Sequence, residues 1–139
     1  TFCVERHRPD FLALVEHDVD VLFANDAEVC ALYETATLEE ALDAVVRQCD
    51  VAAITQGAAG SVIVGREERV EVPADPVERV VDTTGAGDLF AAGFLVGLTR
   101  GDGLARCGEL GSRAAAEVIS HFGARPERRL ADLVSSPPR

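Results

Sequence analysis

One short segment, residues 82–88, carries the residue types best suited to chemistry. It reads Asp-Thr-Thr-Gly-Ala-Gly-Asp, and an apolar run that predicts a helix follows it. Gly85 and Gly87 let the main chain approach a ligand closely. A helix start offers unpaired N–H groups and a partial positive charge, which together suit a phosphate group. Asp88, in the first turn, is favoured by the helix dipole and could accept a proton from an alcohol.

The same residues also allow a purely structural interpretation. A helix start with two glycines and a dipole-matched aspartate requires no ligand, and a bare glycine–x–glycine pattern would favour that interpretation. Here the segment combines amide donors for a phosphoryl group in transfer with a base for the group that receives it. We therefore treat residues 82–88 as the candidate active site.

Short apolar runs predict the strands that must position this segment. Residues 19–24 are rich in β-branched and aromatic residues. Residues 51–55 are almost entirely apolar, which suits a strand covered on both faces of a parallel sheet. Residues 61–64 and 69–72 predict a β-hairpin, and residues 2–4 predict the end of another strand.

Capping signals and apolar periodicity predict the helices. Asn25 or Asp26 caps one helix, and Thr37 forms a capping box with Glu40. The helix after the glycine segment is apolar on every side, which predicts that it is buried. The predicted helices are residues 10–15, two that end at Tyr33 and Arg47, one that ends near Thr99, and one from Leu104 or Gly111 to Phe122. This alternation predicts an α/β fold with a mainly parallel sheet.

The glycine segment resembles a known family signature. All six specified positions of the pattern DTxGAGD match, and DTTGAGDLFAAGFLVGLTRG is similar to the second signature of the PfkB, or ribokinase-like, family of carbohydrate and nucleoside kinases. The chain has no lysine, which excludes the lysine-containing P-loop. The resemblance implies that Asp88 is the catalytic base. It also implies an anion hole formed by the amides of Gly85, Ala86 and Gly87.

The resemblance covers nearly all of residues 1–139 and implies the carboxy-terminal half of a ribokinase-like fold. That fold is a mainly parallel, Rossmann-like sheet flanked by helices, with a small β-hairpin. The chain starts at Thr1 and contains no methionine, so we expect a fragment whose missing amino-terminal half makes most substrate contacts. Such a fragment would expose apolar surface, which predicts homo-oligomers or weak folding. We expect the tail 135–139 to be disordered.

Two further motifs resemble nucleotide-binding parts of the family. Asn25-Asp26-Ala27-Glu28 fits its NxxE motif, which implies that Asn25 and Glu28 help to hold magnesium, partly through water. The alternative is a helix cap with a surface glutamate. Thr55, Gly57 and Gly60 fit its TxGxxG segment, which packs along the nucleotide. The alternative there is a tight turn into a hairpin.

The last predicted helix adds two sets of candidates. Its start resembles the family's NAAAA segment beside the adenine and ribose, which implies contacts from Ser112 and Ala115. Ser112 stands where many members have asparagine, and close packing explains the alanines equally well. Thr84 is a further nucleotide-contact candidate. The resemblance also implies a site for a monovalent cation such as potassium, around Asp82, Thr84, Val118, His121 and Gly123.

Together these motifs predict an ATP-dependent phosphotransferase that moves the γ-phosphoryl group of magnesium-ATP to a primary alcohol. The acceptor would be a sugar or nucleoside, either adenosine-like or resembling ribose or fructose. One alternative is a catalytically incomplete nucleotide-binding fragment. A Rossmann dinucleotide binder is disfavoured, because the glycine pair lies late in the chain and no acidic residue ends a strand about 20 residues on.

The amino-acid composition limits the classes of molecule that the protein is expected to bind. Thirteen basic and 24 acidic residues give a net charge of −11, which disfavours binding to nucleic acid or an anionic membrane. The hydrophobic fraction of 47% excludes intrinsic disorder. The spacing of the four cysteines fits neither a disulfide framework nor a zinc site, so we expect thiols in a cytoplasmic protein.

Overall fold

The computed structural model describes residues 2–135, which divide into two units. Residues 2–56 and Val62–Val70 form the first, and Gly57–Ser61 with residues 71–135 form the second. Of the tail expected to be disordered, residues 136–139 lie outside the described residues. Within the described range, no helix combines the length and the apolar character needed to cross a bilayer.

The strands form one sheet in the order β1-β2-β3-β4. Their bounds are Val21–Asn25 for β1, Val51–Thr55 for β2, Ser61–Gly65 for β3 and Arg69–Val72 for β4. Strands β1 and β2 are parallel, with Val21 opposite Val51 and Asn25 opposite Thr55. The links from β2 to β3 and from β3 to β4 are too short for a parallel crossover, so the sheet is mixed. The predicted α/β class and hairpin are confirmed.

Two helices of the first unit begin at the capping residues that the sequence marks. Their bounds are Phe2–Arg6 for α1, Arg8–His17 for α2, Asp26–Tyr33 for α3 and Leu38–Val45 for α4. Asn25 caps α3 and Thr37 caps α4, each in a reciprocal capping box. Val29, Val45 and Ile54 are fully buried in the core that these helices share with the strands.

In the second unit, two long helices pack closely through glycines. The helices are α5 (Ala86–Arg100), α6 (Leu104–Val118) and α7 (Leu130–Val134). A Cβ atom on Gly93 of α5 would lie 2.4 Å from the carbonyl oxygen of Leu110 in α6. Since non-bonded heavy atoms cannot approach that closely, glycine is required at this contact.

Several sequence predictions about these elements were wrong. Residues 2–4 belong to helix α1, not to a strand, because a run of three apolar residues does not distinguish the two. Helix α5 is not buried on every side, since Leu95 is 41% exposed while Phe94 is fully buried. Helix α6 ends at Val118, four residues before the predicted Phe122, and α7 was not predicted.

Candidate active site

Asp88 lies in the first turn of α5, and its side chain is exposed. Among residues 2–135, no side chain or backbone group forms a hydrogen bond or ion pair with its carboxylate. Within this range, therefore, no neighbouring group competes with a ligand for this carboxylate. It is available to accept a proton from a hydroxyl group brought close to it.

The amides at the start of α5 differ in what they bind. Gly85 is the N-cap in the left-handed conformation, at φ 83°. The Ala86 N–H donates to the carbonyl of Thr83 at 3.2 Å and is already used. Within the described part of the chain, the N–H groups of Gly85, Gly87 and Asp88 have no acceptor. These three amides, not the Ala86 amide, are the donors that remain for an anion.

The two glycines of the segment are needed for different reasons. At Gly85, a Cβ atom would lie 2.8 Å from the Cβ of Ala124, and the positive φ also disfavours a side chain. At Gly87, a Cβ atom would meet nothing within 4 Å, and φ is not positive. The fold therefore requires Gly85, whereas Gly87 leaves open space in front of the helix start.

Asp82 holds the start of the segment in place. One carboxylate oxygen accepts the Thr84 hydroxyl at 2.7 Å and the Thr84 N–H at 2.9 Å. The other accepts the Gly123 N–H at 3.0 Å. Hydrogen bonds from Thr84 and then Gly123, with His121 nearby, lower the pKa of Asp82 to about 2. Asp82 thus remains charged and joins two distant stretches of the chain.

Four of the five residues predicted around a monovalent cation lie close together, with Asp82 between Thr84, Gly123 and His121. Asp82 contacts Thr84 and Gly123, and the N–H of Val81 donates to the carbonyl of Ile119 at 2.8 Å. The other two candidates flank Ile119 in sequence: the side chain of Val118 is fully buried, and His121 is partly buried. Asp82 Oδ1 already accepts two donors and Oδ2 accepts one, so a cation here would rely mainly on backbone carbonyls, with one lone pair of Oδ2 still open among the described residues.

Ser112 lines a cavity of about 340 Å³ between α6 and the loop after β4. Its hydroxyl accepts the Asp75 N–H at 2.7 Å and lies 3.4 Å from the carbonyl of Pro73. The serine therefore fixes the loop that walls the cavity, and its contact with a nucleotide base stays a prediction. Ala115, one turn further along α6, is partly buried and does not line this cavity.

In the first unit, Asn25 and Thr55 stand opposite each other at the carboxyl ends of two parallel strands. Ligands of α/β sheets commonly bind at such ends. The Asn25 side chain accepts the Glu28 N–H at 2.8 Å, and Glu28 accepts the Asn25 N–H at 3.0 Å. The NxxE motif thus forms a capping box in this structure, and its role in holding magnesium stays a prediction.

Gly57 and Gly60 lie in the second unit, at the two ends of a tight turn. A Cβ atom on Gly60 would lie 2.1 Å from the carbonyl oxygen of Val72, so this glycine is required by packing. Gly57 has φ 57°, is exposed, and would meet nothing within 4 Å. Of the two, Gly57 is the one that leaves room for a ligand.

Magnesium is the metal ion that the sequence predicts at Asn25 and Glu28. Within residues 2–135, no three or more His, Cys, Asp or Glu side chains are close enough to hold a metal ion. Magnesium usually takes one or two carboxylates and completes its shell with water and substrate phosphates. Glu28, a partly exposed carboxylate beside Asn25, has the required hard-oxygen chemistry.

Sequence reasoning missed Glu117, the buried acid of α6. Its side chain is 6% exposed, and Oε1 accepts the N–H groups of Glu127 and Arg128 at 2.8 Å each. The available signal was a single glutamate between two apolar residues, Ala116 and Val118, on a helix whose other face is polar. Such a residue is buried only when hydrogen bonds compensate its charge.

Comparison with known proteins gives consistent matches. The pfkB family carbohydrate kinase model matches residues 4–129. A nucleoside kinase of Methanocaldococcus jannaschii is 34% identical over 114 residues, which are 81% of this chain and 36% of that protein.

Two solved structures share the fold. The crystal structure of adenosine kinase from Sinorhizobium meliloti has a TM-score of 0.91 and 51% identity, over 94% of this chain and 40% of that one. The structure of Arabidopsis thaliana ribokinase complexed with ribose and ATP has a TM-score of 0.76 and 26% identity, over 89% of this chain and 43% of that one. The chain thus spans about two fifths of the length of these proteins.

Proposed function

The chain belongs to the pfkB family of carbohydrate kinases, and from this we propose that it carries the phosphate-transfer site of an ATP-dependent kinase. The γ-phosphoryl group of ATP would be transferred to a primary hydroxyl group of a nucleoside or sugar. The observation that carries this proposal is the exposed carboxylate of Asp88 beside the amides of Gly85, Gly87 and Asp88, none of which has a partner among residues 2–135.

In this proposal, Asp88 is the general base. It takes the proton of the acceptor hydroxyl as that oxygen attacks the γ-phosphorus, and the bond from phosphorus to the β-γ bridging oxygen breaks to release ADP. The unused amides at the start of α5 stabilise the negative charge on the transferred group, which is the larger part of catalysis in phosphoryl transfer. Asp82 and Thr84 hold these amides in position.

The nucleotide would bind residues that the sequence motifs predict. The cavity beside Ser112, at about 340 Å³, is of a size that suits a small planar group. Thr55, Gly57 and Gly60 are proposed to follow the phosphates, and Ala115 to line the approach to the base. Of these, Gly57 is supported by the open space in front of it.

We propose that Glu28 and Asn25 help to hold magnesium. When bound, magnesium would neutralise charge on the phosphates. A monovalent cation such as potassium would bind backbone carbonyls at the junction of residues 82–84 with residues 118–123. It would stiffen the segment that precedes the amides.

A nucleoside is the first acceptor to test, because the Sinorhizobium meliloti protein at 51% identity is an adenosine kinase. The natural protein that contains this chain, at full length, is incubated with radiolabelled magnesium-ATP and adenosine, ribose or fructose. We expect label on a nucleoside hydroxyl. Label on a sugar alone would change the acceptor class, whereas ATP binding in calorimetry without transfer to any acceptor would favour the incomplete nucleotide-binding alternative.

A further inference from the structure

Glu117 is a charged residue in the buried part of α6 to which the proposed reaction gives no role. Its Oε1 accepts two backbone N–H groups from one short stretch, those of Glu127 and Arg128. Its Oε2 is buried and has no hydrogen-bond partner among residues 2–135. Because a carboxylate withdrawn from water is costly, the two hydrogen bonds must hold that stretch firmly against α6.

The stretch held by Glu117 includes the contacts that fix the candidate active site. Upstream of Glu127, the Gly123 N–H donates to Asp82 at 3.0 Å. The neighbouring Ala124 packs so closely on Gly85 that no Cβ atom fits between them. The stretch is residues 123–128. Its first residues follow closely after α6, and the hydrogen bonds from Glu127 and Arg128 to Glu117 fix its far end.

His121 lies against the same carboxylate. Its Nε2 is 3.4 Å from Glu117 Oε1, and this nitrogen is buried without a hydrogen-bond partner in the described range. The chain turns sharply here, since Gly123 adopts φ 92°. The Glu117 carboxylate, the His121 ring and the turn at Gly123 lie next to the hydrogen bond between Gly123 and Asp82.

We propose that Glu117 is a positioning residue for the phosphate-transfer site. By fixing residues 123–128, it holds Gly123 on Asp82 and Ala124 on Gly85, and so sets the start of α5 where Asp88 lies. The expected effect on kcat rests on the proposed function. The expected effect on the hydrogen bond of Gly123 does not depend on that function.

The test compares Glu117→Ala with Glu117→Gln in the full-length natural protein. Both wild-type hydrogen bonds end on one oxygen, so glutamine keeps an acceptor for both amides, and alanine keeps none. We expect Glu117→Ala to speed amide hydrogen exchange at Gly123 at least about tenfold. We expect its kcat to fall at least about tenfold with little change in the KM of the acceptor. Glu117→Gln should restore both values to within about threefold of wild type.

The matched control is Cys107→Ala, which removes a fully buried side chain at a different place on α6, about 15 Å along the helix from Glu117. It should lower the melting temperature without changing Gly123 exchange or kcat. The proposal is overturned if Glu117→Ala leaves Gly123 exchange unchanged, or if Cys107→Ala changes both quantities equally. If the wild-type protein transfers no phosphate, the proposed function fails, and Gly123 exchange alone decides whether Glu117 positions the segment.

Discussion

The Asp82 carboxylate accepts the Gly123 N–H at 3.0 Å, which joins two positions 41 residues apart in the sequence. Its second oxygen accepts two donors from Thr84. The two oxygens therefore act on different parts of the chain. The oxygen that binds Thr84 shapes the segment that leads to Asp88, and the oxygen that binds Gly123 attaches that segment to the chain beyond α6.

Replacing Asp82 with asparagine should lower activity, because an amide offers one acceptor oxygen and one donor group. Whichever way the amide is turned, its NH₂ group faces either the Gly123 N–H or the donors of Thr84. We expect kcat of the full-length protein to fall by about 10²-fold through misplacement of Asp88. Steady-state kinetics on folded Asp82→Asn protein checks this, and an unchanged kcat would contradict it.

Gly87→Ala should separate catalysis from stability. A Cβ atom there meets nothing within 4 Å, and alanine is the better helix former, so the free energy of unfolding should be unchanged or rise by about 0.5–1 kcal/mol. Phosphate transfer should fall, since the methyl group occupies the space in front of the free amides. Calorimetry and a transfer assay measure the two effects.

Gly85→Ala is the control for that experiment. Its Cβ atom would lie 2.8 Å from Ala124 at a positive φ, so this variant should lose stability as well as activity. Full turnover in Gly87→Ala would mean that no ligand approaches the start of α5.

Gly93→Ala should destabilise the second unit. The added Cβ atom would lie 2.4 Å from the Leu110 carbonyl oxygen, so α5 and α6 must move apart, at a cost of about 1–3 kcal/mol. Thr99→Ala, on the exposed face of the same helix, should change stability by no more than about 0.5 kcal/mol. Urea unfolding of both variants checks this, and equal midpoints would show that the helices are not close-packed at Gly93.

Local signals made much of this fold predictable from sequence. The capping residues Asn25 and Thr37 and the turn at Gly65 act through neighbours a few residues away, so their effects can be read directly. The exposure of Leu95 and the helical state of residues 2–6 depend on what packs against them, which a short window of sequence does not contain.

The candidate site likewise has features that the sequence predicts and features that only the structure shows. The glycine segment and Asp88 follow from residue type and spacing. The Ala86 N–H is bound to the Thr83 carbonyl in a turn that only the structure shows. The apolar neighbours of Glu117 signal its burial, but its partners at residues 127 and 128 lie about ten residues further on and no local pattern identifies them.

Tyr33 should titrate at unusually high pH in the folded protein. Burial, aided by the nearby Cys49 thiol, raises its pKa from 10.0 to about 12, and its hydroxyl donates to Gln48 at 2.7 Å. Because the folded state holds this proton more tightly, the resulting stability is fully present below pH 10 and is lost as the pH rises towards 12.

The ζ-carbon resonance of Tyr33, assigned by its absence in Tyr33→Phe, measures this titration. The folded protein should show a midpoint near 12, and the urea-unfolded protein one near 10. A midpoint near 10 in the folded protein would contradict the partial burial of the Tyr33 side chain.

The most direct measurement is the turnover of Asp88→Asn in the full-length natural protein, with ATP affinity determined in parallel by calorimetry. Asp43→Asn is the matched control, because Asp43 is another exposed helical aspartate with no interaction partner within residues 2–135. We predict that Asp88→Asn lowers kcat by about 10²–10⁴-fold while ATP binding and folding persist, and that Asp43→Asn matches wild type. Wild-type turnover in Asp88→Asn would contradict the assignment of this carboxylate as the general base.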